Sequence, residues 1–248
     1  MDLTELKRLF YLLHKKGVKA VLLGGGEPLL RDDFGKILKE LKKLKIKVFL
    51  DTNGDLFFRY QKLISKYVEV IGLPIDFPNV SYRNKNNLRA VLRALNHFKK
   101  LKKRPVIRIG TVVTKDNFKK LKEVGELLKD YPVDIWKIYQ FTPQNYNALK
   151  NRSLLEISQK DFDKATKELK KIFSKNFRVV ISKRKDRNRA YFFIDSDGTV
   201  FTPIDDLDTC RQVKIGDIFD KNTLVKWTKI YSPKNYTNNA EPTFNFKL

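Results

Sequence analysis

The 248-residue chain is 42% hydrophobic and 32% charged, and its 52 Lys and Arg against 28 Asp and Glu give a formal net charge of +24. That is enough apolar content for one sizeable core, and no apolar run approaches the roughly 20 residues of a membrane-spanning helix. Cys210 is the one cysteine, so no disulfide closes within the chain, and Met1-Asp2-Leu3 opens an amphipathic helix rather than a basic-then-apolar signal peptide. The expectation is a cytoplasmic protein with no membrane partner. The basic excess comes from 38 Lys against 14 Arg. It admits two readings: a polyanion-binding surface, with RNA as a candidate partner, or lysines that simply solvate helix faces.

Residues 2–16 set Leu3, Leu6, Phe10 and Leu13 at helical spacing and stop at Gly17. A crossover helix of this kind follows a strand in a βαβ unit, and here the sequence opens on the helix. Val18–Leu23 reads as a buried parallel strand, followed by Gly24-Gly25-Gly26-Glu27-Pro28 and then by the acidic pair Asp32-Asp33 at the head of a helix over 33–45. The strand Lys47–Asp51 ends in Thr52-Asn53-Gly54. A helix over 57–66 leads to the strand Val68–Pro74, closed by Ile75-Asp76-Phe77-Pro78. A helix over 84–101, the strand Val106–Val113, a helix over 117–130 and the strand Asp134–Phe141 continue the alternation. Strands and helices alternating over short loops predict a parallel α/β barrel or a doubly wound sheet.

After Thr142-Pro143 the rhythm changes. An Asn-rich loop over 144–152 precedes a capped helix over Ser158–Phe173 and the segment Phe177–Ser182. A hairpin follows, Ala190–Ile194 and Thr199–Thr202 around Asp195-Ser196-Asp197-Gly198, then Lys214–Phe219. The expected organisation is a core over 1–143, a small α+β extension over 144–231 and a surface tail over 232–248.

Glycines at the end of a buried strand leave main-chain N–H and C=O groups open to a ligand, and barrels place their sites at that end. Neither a dinucleotide fingerprint nor a phosphate loop is present, because no G-x-G-x-x-G and no Gly-Lys-Ser/Thr follows. Polar residues stand at the ends of the other strands as well, and together they predict one shared site. Singly, each has a plainer reading. Asn53-Gly54 is a common turn pair, Asp76 can shape a loop, and Asp195–Gly198 is a hairpin turn before it is a metal loop. His14 and His97 have no second ligand at metal spacing.

The string Gly24-Gly25-Gly26-Glu27-Pro28 resembles the Gly-Gly-Glu-Pro motif of the radical S-adenosylmethionine (SAM) enzymes, and Thr52-Asn53-Gly54 resembles the turn after that family's third strand. The resemblance covers roughly residues 1–220, and within it the Asp134–Pro143 block and the Asp195–Pro203 hairpin look most like archaeal members of unassigned substrate, and more distantly like the viperin-like nucleotide dehydratases. The resemblance implies a partial (β/α)6-type TIM-like barrel lacking its first βα unit, with a small α+β C-terminal extension. It implies SAM as cofactor, with Gly25, Gly26, Glu27 and Pro28 at the methionine end and Asp76 at the ribose. Gln140 and Phe141 would lie near adenine, Asn53 and Thr111 would line the pocket, and Arg83 would match the arginine that opens the fourth helix. It implies reductive cleavage of SAM to a 5′-deoxyadenosyl radical acting on an unknown small-molecule substrate.

One departure is severe. The family holds a [4Fe–4S] cluster on a Cys-x3-Cys-x2-Cys loop after its first strand, and the oxygen and nitrogen groups available in this chain do not replace those thiolates. Cys210 alone is no substitute. Two expectations follow. In the first, a separate short Cys-x3-Cys-x2-Cys polypeptide completes the barrel and supplies the cluster ligands. In the second, the chain is a cluster-less, basic nucleotide- or RNA-binding module on the same scaffold.

Overall fold

The computed structural model describes residues 1–79, 87–144, 146–206 and 209–235. Asp2 caps the first helix, α1 (Leu3–Lys15), through a reciprocal pair of bonds: Glu5 N donates to Asp2 Oδ1 at 2.9 Å, and Asp2 N donates to Glu5 Oε2 at 2.8 Å. The chain then alternates: β1 (Ala20–Leu23), α2 (Phe34–Lys43), β2 (Lys47–Asp51), α3 (Phe57–Tyr67), β3 (Val70–Pro74), α4 (Asn87–Lys99), β4 (Val106–Val113), α5 (Leu121–Leu128) and β5 (Ile135–Gln140). Two short helices, α6 (Tyr146–Lys150) and α7 (Arg152–Leu155), and the pair α8 (Gln159–Thr166) and α9 (Leu169–Phe173) lead to β6 (Arg178–Ser182).

Strands β1 to β6 form one parallel sheet in unbroken sequential order. A doubly wound sheet reverses its strand order at a switch point, and no reversal occurs here, so the barrel alternative describes this molecule. The register sorts side chains by face. Val48, Leu50, Ile71, Leu73, Ile107, Ile109, Val113, Trp136 and Ile138 are buried with the apolar stripes of the helices in one core. The alternate positions, among them Asp51, Gly72, Arg108, Gly110, Lys137 and Tyr139, line the other face.

Several outcomes differ from the sequence expectation, and β1, expected as a buried strand over Val18–Leu23, spans Ala20–Leu23 at the sheet edge with its residues half-buried or exposed. Residues Phe177–Ser182, assigned to the extension, supply a sixth strand to the main sheet, with Ile135 paired to Arg178 and Tyr139 to Ser182. The helix expected over Ser158–Phe173 breaks in two where the Thr166 hydroxyl donates back to Phe162 O at 2.9 Å. A tenth helix, α10 (Lys221–Ile230), was not foreseen, although Asp220 caps it by accepting from Asn222 N at 2.9 Å. The expected hairpin forms between β7 (Phe193–Ile194) and β8 (Thr199–Asp206), with Gly198 at φ +91° in its turn, and β9 (Thr209–Asp217) completes a three-stranded antiparallel sheet. Arg83 and most of the tail fall outside the described residues.

Candidate functional site

Leu23 ends β1, and the chain leaves the sheet through Gly24, Gly25 and Gly26. Gly25 sits at φ +103°, a region that a side chain disfavours, and at both Gly25 and Gly26 a Cβ would meet nothing within 4 Å. This stretch of main chain therefore fronts open space. Glu27 follows with extended backbone and caps the 3-10 turn Pro28–Leu30, where the fixed φ of Pro28 suits the first position.

The Glu27 carboxylate joins two strand-end loops. Oε1 accepts from Leu29 N at 3.1 Å and from the Thr52 hydroxyl at 2.7 Å, and Oε2 accepts from Asn53 N at 2.7 Å. Three of its roughly four acceptor positions are thereby filled, which leaves room for one further donor such as a ligand ammonium. The turn that receives it is itself braced. Thr52 Oγ1 accepts from Gly54 N at 3.2 Å, Asn53 Oδ1 accepts from Asp55 N at 2.9 Å, and Gly54 adopts φ +87°. The glycine-rich and Thr-Asn-Gly segments, 25 residues apart in sequence, are thus one structure.

Asp76 lies two residues beyond β3 and is 6% exposed. Its Oδ1 accepts from Val112 N at 2.8 Å, and its carbonyl accepts from Asn117 Nδ2 at 3.0 Å. Asn117 in turn donates to Val112 O at 2.8 Å and accepts from Thr114 N at 2.8 Å. This use of Asn117 explains why the helix expected over 117–130 begins as a 3-10 turn, Phe118–Lys120, ahead of α5. Asp76 therefore ties β3 to β4 at the rim. Thr111 is fully buried on the helix side of the sheet: its hydroxyl donates to Ile75 O at 2.6 Å and accepts from Trp136 Nε1 at 2.8 Å. Its strand neighbours Gly110 and Val112 occupy the opposite face. Gln140 and Phe141 are also buried. Gln140 Oε1 accepts from Arg184 N at 3.0 Å and its carbonyl from Arg187 Nη2 at 2.5 Å, joining the ends of β5 and β6. The structure thus brings Gly25, Gly26, Glu27, Pro28 and Asn53 into one cluster, sets Asp76 and Gln140 in rim networks, and turns Thr111 away.

Sequence reasoning missed two features. Asp51, Gly72 and Arg108 lie in one row across β2, β3 and β4, and the Asp51 and Arg108 side chains pair over Gly72. A methyl at Gly72 would run into both partners, so this glycine is what admits an ion pair to the face opposite the helices. Alternation of Asp51 with Leu50 and of Arg108 with Ile107 and Ile109 was the available signal. The second is Asn87, the first residue of α4, whose Nδ2 donates to Asn53 O at 2.8 Å. Nothing in the run Asn84-Lys85-Asn86-Asn87 distinguishes it. His97, by contrast, keeps its plain reading and packs edge-on against Phe57 at 5.6 Å and Phe98 at 6.0 Å.

A sequential parallel sheet with glycine-rich and polar loops gathered at the strand ends defines a barrel-type scaffold. Residues 1–128 match the model of the Radical SAM superfamily, and the chain belongs to that superfamily. It is 25% identical over 218 residues to a probable GTP 3',8-cyclase of Methanococcus aeolicus, covering 85% of this chain and 69% of that protein. It is 26% identical over 212 residues to the Pyrococcus horikoshii protein of the same name, covering 81% of this chain and 63% of that one. Among solved structures it is similar to Streptococcus suis SuiB bound to S-adenosylmethionine (TM-score 0.68, 16% identity, 96% of this chain and 60% of that one). It is also similar to anSMEcpe with bound AdoMet and a peptide (TM-score 0.65, 21% identity, 96% and 74%). These likenesses establish the fold.

The superfamily's two cofactors stand differently toward the residues present. SAM fits, because an open glycine backbone lies beside a carboxylate with an acceptor position to spare. The [4Fe–4S] cluster does not fit. The 248 residues contain one cysteine, and among the described residues no group of three or more His, Cys, Asp and Glu side chains could hold a metal ion.

Proposed function

We propose that this chain is the SAM-binding body of a radical SAM enzyme. The observation that carries the reading is the Glu27 carboxylate, anchored by Thr52 and Asn53 beside the open backbone of Gly25 and Gly26. In this reading Gly25, Gly26 and Glu27 hold the amino-acid end of SAM, and Pro28 sets the backbone that aims Glu27. Asn53 and Asp76 border the ribose, and Gln140 and Phe141 border the adenine. Thr111 supports the wall from behind. The protein's work is to bind, orient and shield the cofactor.

The cysteines for the cluster are carried outside these 248 residues, on a polypeptide that pairs along β1. Supporting this, among the described residues β1 has β2 as its one partner in the sheet, and Leu22 on it is 47% exposed. A parallel edge of that composition gains by pairing. The substrate is a separate question. The sequence relatives bear the name GTP 3',8-cyclase, while SuiB and anSMEcpe have been captured with peptides.

Equilibrium binding of SAM to the chain, measured by calorimetry beside Glu27→Gln, tests the reading. Saturable binding weakened about tenfold or more in the variant is expected, because the lost charge removes a charge-assisted bond to the ammonium. No affinity for SAM, together with salt-sensitive binding of RNA, would contradict it and favour the cluster-less nucleotide- or RNA-binding module for which the net charge of +24 speaks.

A further inference from the structure

We infer that Asn87 is a positioning residue of the strand-end site, holding the Thr52–Gly54 turn in the shape that presents Glu27. Its consequence for SAM affinity rests on the reading above, whereas the geometry stands on its own. Asn87 is the first residue of α4 and is 1% exposed. Its Nδ2 donates to Asn53 O at 2.8 Å. A backbone carbonyl only accepts, so the NH2 end of the amide must face it, and the orientation of the side chain is set by chemistry.

Two ordinary roles for an asparagine here are excluded. A capping asparagine at a helix start uses its oxygen to accept from main-chain amides of the first turn, and Asn87 Oδ1 is buried with no hydrogen-bond partner among the described residues. A satisfied core amide employs both ends, and this one employs only its nitrogen. The one side-chain bond it makes among the described residues leads directly to the site. From Asn87 Nδ2 the path runs to Asn53 O, and from Asn53 N to Glu27 Oε2, while neighbouring Thr52 grips Oε1 of the same carboxylate. Packing reinforces the path. A Cβ on Gly54 would lie 3.4 Å from Val91 Cγ2, so the first turns of α4 rest on this turn with no side chain between them. The start of α4 and the glycine-rich loop after β1 are thereby coupled through Asn53.

The test compares the full chain with Asn87→Leu, which keeps the size and loses the donor, and with Asn87→Ala, which cannot overpack. Phe98→Leu, at the far end of α4, serves as a control for general destabilisation. Hydrogen exchange read by NMR should show the Asn53 amide exchanging about tenfold faster in both Asn87 variants, with the Leu50 amide inside β2 unchanged. SAM affinity should fall about tenfold in the same variants, and Phe98→Leu should alter neither reading at matched thermal stability. Wild-type protection of Asn53 in folded Asn87 variants would overturn the inference. So would faster exchange with undiminished SAM affinity. If the wild-type chain binds no SAM, the functional reading fails, and the exchange measurement still decides the role of Asn87.

Discussion

At the scale of single residues, the site is built from side chains whose hydrogen bonds are nearly all committed to neighbouring loops. Glu27 illustrates this best, because three of its bonds go to the protein before any ligand arrives. Such pre-alignment keeps a carboxylate from collapsing onto solvent or a nearby lysine, and it limits the entropy lost on binding. Thr111 is the instructive contrast. From sequence it stands on a strand near the expected pocket, and in the fold its hydroxyl serves Ile75 O and Trp136 Nε1 on the helix side. Thr111→Val should therefore leave a buried carbonyl and a buried indole N–H without partners, at a cost of roughly 2–4 kcal/mol by denaturant unfolding. SAM affinity should be unchanged. Weakened binding with undiminished stability would instead make Thr111 a pocket residue.

At the scale of elements, what could be read from sequence divides by its physical cause. Strands β2 and β4 have the bounds expected, because the core-facing residues Val48 and Leu50, and Ile107, Ile109 and Val113, recur at every second position between recognisable turns. The split of the helix over Ser158–Phe173 was hidden, since Thr166 bonds backward only once its helix is packed. Asn87 was hidden for a related reason: a polar residue at a helix start looks alike whether it faces water or a neighbouring turn. β6 was misassigned because the Asn-rich stretch before it reads as an end to the alternation, whereas it is one long crossover. The loop after β1 carries a further constraint. Arg31 and Asp33 pair through Nε–Oδ1 and Nη2–Oδ2, both at 2.8 Å, and Tyr60 donates to Arg31 O at 3.2 Å. The hydrogen bonds from Arg31 hold the Asp33 carboxyl below the usual carboxylate range. A carboxyl depressed on folding adds stability above its unfolded pKa and loses it as pH falls through the folded value. Both side chains are partly exposed, so Asp33→Asn should cost under about 1 kcal/mol at neutral pH. The gap between variant and wild type should close on acidification below about pH 4, as read by urea midpoints across pH. A gap that persists or widens in acid would show that the pair does not act through the ionised carboxylate.

At the scale of the whole molecule, three features converge on the strand ends of one sheet. They are the open glycine backbone after β1, the braced turn after β2, and the rim networks that tie β3 to β4 and β5 to β6. The helices bury their apolar stripes on one face and leave the other to polar pairs such as Asp51 with Arg108. The net charge of +24 adds attraction for anions in general, which concerns encounter rather than the choice of cofactor. The central claim is that SAM binds where Gly25, Gly26, Glu27 and Asn53 meet. Backbone NMR of the isotope-labelled chain during a SAM titration tests it most directly. The account predicts saturable shifts centred on the amides of Gly25, Gly26, Leu29 and Asn53, reached at about tenfold higher SAM or more in Glu27→Gln. Shifts centred elsewhere, or an unchanged spectrum at millimolar SAM, would contradict it.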